Sequence, residues 1–193
     1  MRPVAFCFLV PLLAFAEPHA YFSSRDNVQG RIRAAIERTQ ISIDAAVFEM
    51  KTPSLIRSLK EAAGRGVAVR LLLSDAEPVA SELSFVDTEN LEVRYIGGRS
   101  RRRGYMHHKF AVFDQAKVVT GSFNWTPSAQ HANYENALFE DDDRIVQAYA
   151  RQFNELWAHS RQDPGAPGFD DAPSKHPRRV RLRLVRKTAR TAS

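Results

Sequence analysis

Cysteine is almost missing from this chain. Cys7 is the single one in 193 residues, so neither a disulfide framework nor a cysteine-based zinc site can form within one chain. The N-terminal apolar stretch from Val4 to Ala16 is interrupted by Pro11. It falls short of the roughly 20 apolar residues that an ordinary membrane-spanning helix needs. Gly97-Gly98 is followed by arginines and not by a Walker lysine, which excludes a nucleotide-binding loop of that type. No convincing internal repeat is present. Hydrophobic residues make up 44% and charged residues 26%, close to ordinary globular usage. A collagen-like chain, a long coiled coil and a wholly disordered protein are excluded. The length suits one compact domain, or one domain with a tail.

The net charge of +6 is unevenly spread. Residues 161–193 carry nine basic and three acidic side chains, and Arg2 adds one positive charge near the start. Residues 17–160 are therefore close to neutral, at −1. A basic tail suggests a polyanionic partner, either nucleic acid or an anionic membrane.

Arg2, the apolar stretch Val4–Ala16 and the Ala14-Phe15-Ala16 end have the order of a secretory signal peptide. Cleavage is expected after Ala16, with Ala20 as the second choice. The competing reading is a buried N-terminal strand or an uncleaved anchor. Cys7 lies inside the apolar region, too early for a lipid-attachment site. The mature chain would hold no cysteine and would meet an oxidising compartment with nothing to oxidise. The expected localisation is exported, either periplasmic or secreted.

The body alternates helix and strand signals, the mark of an α/β fold. Val28, Ile32, Ala35 and Ile36 form one helical stripe over 27–38, with Asp26 or Asn27 as cap. Residues 41–48 read as a strand. Thr52-Pro53 opens a helix that carries Leu55, Ile56, Leu59 and Ala63 inward and stops at Gly64. Val67–Leu73 reads as a buried strand broken only by Arg70. Strand, helix and strand with short links form a right-handed crossover by default. Residues 76–90 are ambiguous, and 91–96 read as a strand. Residues 143–159 form an amphipathic helix with Val146, Tyr149, Phe153, Leu156 and Trp157 on one face. Beyond Ser160, four prolines break the pattern, and 161–193 read as a mobile tail. The catalytic body is expected over 21–160.

The chemistry lies between Arg99 and Asn136. Met106–Asp114 reads as a strand, and alternation puts His107, Lys109, Ala111 and Phe113 on one face. His107 and Lys109 then point the same way, roughly 6–7 Å apart along the strand. Lys117–Asn124 reads as the antiparallel return, with Ser122 and Asn124 on one face. Asn133–Phe139 follows, with Asn133 and Glu135 on one side. A phosphodiester needs positive charge on its non-bridging oxygens, an in-line nucleophile and an acid for the leaving oxygen. Lys109 supplies charge, Ser122 and Asn124 neutral donors, and His107 a nucleophile when its ring is neutral. A carboxylate such as Glu135 on the other ring nitrogen would fix the tautomer.

His107-x-Lys109-x4-Asp114, then Gly121-Ser122-x-Asn124, then Asn133-x-Glu135-Asn136 resembles the HKD motif of the phospholipase D superfamily. The stretch from Tyr21 to about Trp157 resembles the small single-motif bacterial endonucleases of that superfamily, Arg65-Gly66-Val67-Ala68-Val69-Arg70 included. The resemblance does not cover the tail. It implies a phospholipase D-like mixed β-sheet flanked by helices on both faces, in a single domain. It also implies a phosphodiesterase that uses no metal or other cofactor and works through a phosphohistidine. His107 is then the nucleophile, Lys109 binds phosphate, Ser122 and Asn124 complete the pocket, and Glu135 orients His107. Asp114 belongs to the motif, but its parity puts it on the opposite strand face, where a structural role is expected. One motif per chain implies a two-fold homodimer, in which the second His107 protonates the leaving oxygen.

Several neighbouring features have plainer readings. His108 is expected as a packed or supporting histidine. His107 and His108 are poor metal ligands, because adjacent strand residues point apart and no acidic or cysteine cluster accompanies them. His19, His131, His159 and His176 are scattered. Asp44 and Glu49 lack same-face spacing and are expected at the surface or in caps. Arg99, Arg101, Arg102 and Arg103 precede the motif and are expected to contact a nucleic-acid backbone at the mouth of the site. The leading expectation is a nonspecific endonuclease that cuts DNA, with RNA as a further substrate, because no base-reading motif is present. The alternative is a hydrolase of cardiolipin or phosphatidylcholine, with anionic phospholipid as substrate. A noncatalytic nucleic-acid-binding module is a third reading, against which the intact His, Lys, Ser, Asn and Glu set argues.

Overall fold

The computed structural model describes residues 19–76, 89–99 and 104–163. The signal-like segment, Arg101 to Arg103, most of the ambiguous 76–90 stretch and the tail from 164 onward lie outside the described residues.

Seven strands form one mixed sheet. In chain order the elements are β1 (His19–Phe22), α1 (Val28–Arg38), β2 (Ser42–Val47), α2 (Pro53–Gly64), β3 (Ala68–Ser74), β4 (Leu91–Ile96), β5 (Lys109–Phe113), β6 (Lys117–Gly121), α3 (Pro127–His131), β7 (Asn136–Glu140) and α4 (Asp143–Ala158). The strand order is β1-β7-β6-β5-β2-β3-β4. β2, β3 and β4 run parallel, with α2 as the crossover between the first two. From β5 onward the sheet turns antiparallel.

Helices cover both faces of the sheet. One core joins Val28, Ile32 and Ile36 of α1 and Leu55 and Leu59 of α2 to Ile43, Ala45, Leu71 and Ala111. The other packs Val146, Phe153 and Trp157 of α4 onto Ala46, Leu72, Phe110 and Val112. Alternate residues of β5 thus feed opposite cores, as a two-residue strand period requires. Each fully buried large side chain stabilises the fold by ~1.5–3 kcal/mol. The caps follow local chemistry. Asn27 Oδ1 accepts from Gly30 N at 2.8 Å, and Asp142 accepts from Arg144 N and Ile145 N, in both cases meeting N–H groups that lack a helical partner.

Three sequence readings need correction. The strand expected over 106–114 starts only at Lys109, because the β2 ladder opposite ends with Val47 paired to Lys109. Asp44 is neither a surface nor a capping residue. It is 1% exposed and takes a two-point ion pair from Arg70 at 2.7 and 2.8 Å. The Arg70 guanidinium in turn lies over the rings of Phe153 and Trp157. The body also continues through Arg161, which exchanges two backbone hydrogen bonds with Tyr95.

Candidate active site

β2 and β6 end, and β5 and β7 begin, at the same edge of the sheet. This is where the parallel half meets the antiparallel half, a place where open α/β sheets commonly form ligand clefts. His107, Lys109, Ser122, Asn124 and Glu135 belong to the segments that meet there.

Lys109 opens β5 and is 9% exposed. Its Nζ donates to the His107 carbonyl at 2.8 Å and lies 4.9 Å from the centre of the Phe48 ring. The His107 ring packs against the same phenyl, 4.6 Å from the Phe48 centroid. One aromatic plate therefore fixes both the imidazole and the ammonium. Phe48 is held in turn, because its N–H donates to the His108 carbonyl at 2.7 Å. The sequence reading missed Phe48. Its signal was available in the register, since the residue after Val47 must lie beside the residues before Lys109.

The electrostatics suit a neutral nucleophile beside a cation. Partial burial, and secondly the charge of Lys109, hold His107 below its ordinary value of 6.5. Burial also lowers Lys109, while Glu135 and Glu49 pull it back up. Glu49, which forms an ion pair with Lys51, is a second site carboxylate that the sequence reading placed elsewhere.

Gly121 must be glycine because a Cβ there would lie 2.2 Å from the Asn136 carbonyl oxygen. That close approach brings Ser122 against the start of β7. Ser122 Oγ makes a short hydrogen bond to Glu135 Oε2 and accepts from Asn136 N at 3.1 Å and Asn136 Nδ2 at 3.3 Å. Glu135 Oε1 accepts from Asn133 Nδ2 at 3.0 Å. Both carboxylate oxygens are thus engaged by Ser122 and Asn133. The hydrogen bond expected from Glu135 to His107 is not among those the described residues make. Asn124 Oδ1 is buried with no hydrogen-bond partner. Leaving such a group unpaired costs ~1–3 kcal/mol, so this amide is poised for a ligand. The amide's oxygen and nitrogen can exchange places by a flip of the terminal torsion, which would present an N–H2 donor at the same point.

Asp114 is not at the site. It follows the far end of β5, where its carboxylate accepts from the backbone N–H groups of Gln40, Ile41 and Ser42 at 2.7–3.2 Å. Its place in the motif is explained by this clamp between the β5–β6 turn and the start of β2. His108 is exposed, with its ring edge-on to Phe110 at 5.3 Å. The arginine segment leaves and re-enters at one point, since a Cβ on Gly98 would meet Gly104 C at 2.0 Å. Arg99 is exposed, and the returning Tyr105 packs 6.0 Å from Phe48. Tyr105 and Tyr134 flank the site, 61% and 94% exposed.

Comparison with known proteins gives the family and the fold. Residues 32–157 match the family described as cardiolipin synthase, phospholipase D-like domain. The mitochondrial cardiolipin hydrolase of Xenopus tropicalis is 37% identical over 152 residues, spanning 78% of this chain and 69% of that protein. Among solved structures, the phospholipase D family member Nuc from Salmonella typhimurium superposes with a TM-score of 0.66 at 21% identity, over 76% of this chain and 99% of that one. NucT from Helicobacter pylori gives 0.68 at 18% identity, with the same coverage.

Proposed function

The chain belongs to the phospholipase D-like family, whose members are phosphodiester hydrolases, and from that membership we propose that it is a nonspecific endonuclease cutting DNA and RNA without a metal. The observation that carries this reading is the shared edge of the sheet. There Phe48 holds His107 and Lys109 together and Asn124 offers an unpaired amide, and Arg99, Arg101, Arg102 and Arg103 precede the His-x-Lys motif in the sequence.

Lys109 and the Asn124 amide take the non-bridging oxygens of the phosphodiester. The neutral His107 ring attacks phosphorus, so a P–N bond forms as the P–O bond to the leaving group breaks. The leaving oxygen takes a proton from His107 of the partner subunit in a two-fold homodimer. Water then attacks phosphorus, giving a proton to the now neutral His107 of the partner subunit; the P–N bond breaks, and both rings return to their starting states. Glu135 acts through Ser122 and Asn133 to set the pocket wall. The single His-x-Lys motif in the sequence supports the homodimer, because attack and leaving-group protonation need two rings.

The chain is proposed to be exported to the periplasm or the exterior. The start of β1 at His19 supports cleavage after Ala16, because cleavage after Ala20 would remove His19 and Ala20, which pair with Phe139 and Leu138. Residues 164–193 are proposed as a basic tail that adds nonspecific affinity for polyanions.

A second reading, hydrolysis of cardiolipin or another anionic phospholipid, is favoured by the name of the Xenopus relative and by the exposed Tyr105 and Tyr134 at the rim. The run of arginines that precedes the motif in the sequence sets it second. Plasmid nicking in EDTA, run beside turnover of cardiolipin and phosphatidylcholine vesicles, separates the two. Nicking in EDTA is expected; lipid turnover without nicking would reverse the order.

A further inference from the structure

A cleft of about 580 Å³ runs along α1, between that helix and the strands β1, β7 and β6. The phosphohistidine mechanism does not use it. Its near end lies beside Tyr21 and Asn27, next to Ser23, whose hydroxyl donates to the Asn133 carbonyl and accepts from Glu135 N–H. Its far end lies at Arg38 and Lys117, where β5 turns into β6. The cleft therefore leads away from the proposed active site along the sheet. From Lys109 to Phe113 this is four strand steps, about 13 Å.

The lining is cationic. Arg31, Arg33, Arg38 and Lys117 face it, and among the described residues Asp114 is the one acid that does. Three backbone N–H groups already occupy Asp114, and Arg33 is paired with Glu37 at 3.5 Å. Arg31, Arg38 and Lys117 have no carboxylate partner among the described residues. Arg31 and Arg38 are seven residues apart on one helix face, about 10 Å. The Arg31 guanidinium carbon lies over the Tyr21 ring, 3.7 Å from its centroid, which holds the group in place for an anion. Like charges gather this way at a cost unless an anion offsets them.

We propose that this cleft is a second phosphate-binding track, holding the nucleic-acid backbone several nucleotides from the bond being cut; the proposal rests on the endonuclease reading. A polar, charge-lined cleft fits a phosphate backbone better than a lipid surface, which calls for a wide apolar rim. At ~3.4 Å per nucleotide along a duplex strand, the 13 Å separation corresponds to about four nucleotides.

The test compares the full chain with R31Q/R38Q/K117Q and with R38Q/K117Q, which keeps the Arg31–Tyr21 contact should the triple variant fold poorly. A 20-base-pair duplex and bis(4-nitrophenyl) phosphate serve as substrates. The triple variant is expected to raise KM for the duplex about tenfold at 0.15 M salt. It should also flatten the log–log salt dependence of binding by about two to three, near 0.9 per lost contact. The double variant should move both the same way by less. Turnover of bis(4-nitrophenyl) phosphate, too small to reach the cleft, should not change. Unchanged duplex KM and salt slope in variants of an active nuclease overturn the track alone. A wild-type protein that neither binds nor cuts nucleic acid overturns the endonuclease reading, and the track with it. Loss of binding to cardiolipin-containing vesicles with duplex binding intact assigns the cleft to lipid and overturns the proposal.

Discussion

Asp114→Ala removes the acceptor for three backbone N–H groups, those of Gln40, Ile41 and Ser42. A hydrogen bond to a charged group contributes ~1.5–3 kcal/mol. Gln40 and Ile41 are exposed and Ser42 is half-buried, so water replaces much of each bond, and about 2 kcal/mol in all is lost. Asp114 also sits at φ +51°, in the left-handed region that alanine occupies at a cost of ~1–2 kcal/mol. The total is about 3 kcal/mol. For a body of this size each kcal/mol shifts Tm by ~2–4 °C, so Asp114→Ala should melt roughly 6–12 °C lower. Asp114→Asn keeps an oxygen acceptor and tolerates the same φ, and should lose about a third as much. In both variants kcat of the folded protein should stay within about twofold, because this clamp lies four strand steps, about 13 Å, from Lys109. Thermal melts and nicking assays well below Tm measure the two effects separately. A kcat lowered a hundredfold in Asp114→Asn, with Tm unchanged, would refute the assignment of this motif residue to structure.

His107→Ala and Lys109→Met should each cut kcat by at least about a thousandfold, and His107→Ala should leave the melting temperature near wild type, since that ring is exposed. Because one His107 ring must be neutral to attack while the partner's His107 must be protonated to release the leaving oxygen, kcat/KM should be bell-shaped in pH, with its maximum displaced below the ordinary histidine value by burial and Lys109; a profile that rises to a plateau would contradict the paired rings. Lys109→Met removes a neighbouring cation, so the His107 titration followed by NMR should move upward; a downward shift would contradict the repulsion between ammonium and imidazolium. Asp44→Ala strands the Arg70 guanidinium between two aromatic rings, with one remaining hydrogen bond that it donates to Asn154 Oδ1. A loss of about 2–4 kcal/mol is expected, at the lower end for a guanidinium a third exposed, and is measured by denaturant unfolding.

Much of this architecture was legible in the residues. β4 lies at Leu91–Ile96 and α2 opens at Pro53 and closes at Gly64, because strand runs and caps are local signals. β1 was not legible. It has four residues, adjoins the signal-like segment, and exists through pairing with β7, more than a hundred residues away. α3 spans five residues, too few for a periodic signal. Asp44 looked like a polar position on an alternating strand, and only the arrival of Arg70 from the neighbouring strand makes its burial possible. The spacing of His107, Lys109, Ser122, Asn124 and Glu135 pointed to one place, and the fold brings their segments to one edge of the sheet. The spacing could not show that Glu135 turns to Ser122 and Asn133, or that Phe48 lies against both the imidazole and the ammonium. Those contacts depend on strand register and loop closure.

The covalent step itself can be observed. Single-turnover reaction with a 5′-labelled oligonucleotide, quenched under alkaline conditions that preserve phosphoramidates, should leave an acid-labile adduct on the peptide carrying His107. Mass spectrometry should locate it on that ring, and His107→Ala should carry none. Turnover that proceeds with no adduct, or with an adduct on another residue while His107→Ala stays active, would contradict covalent catalysis by this histidine.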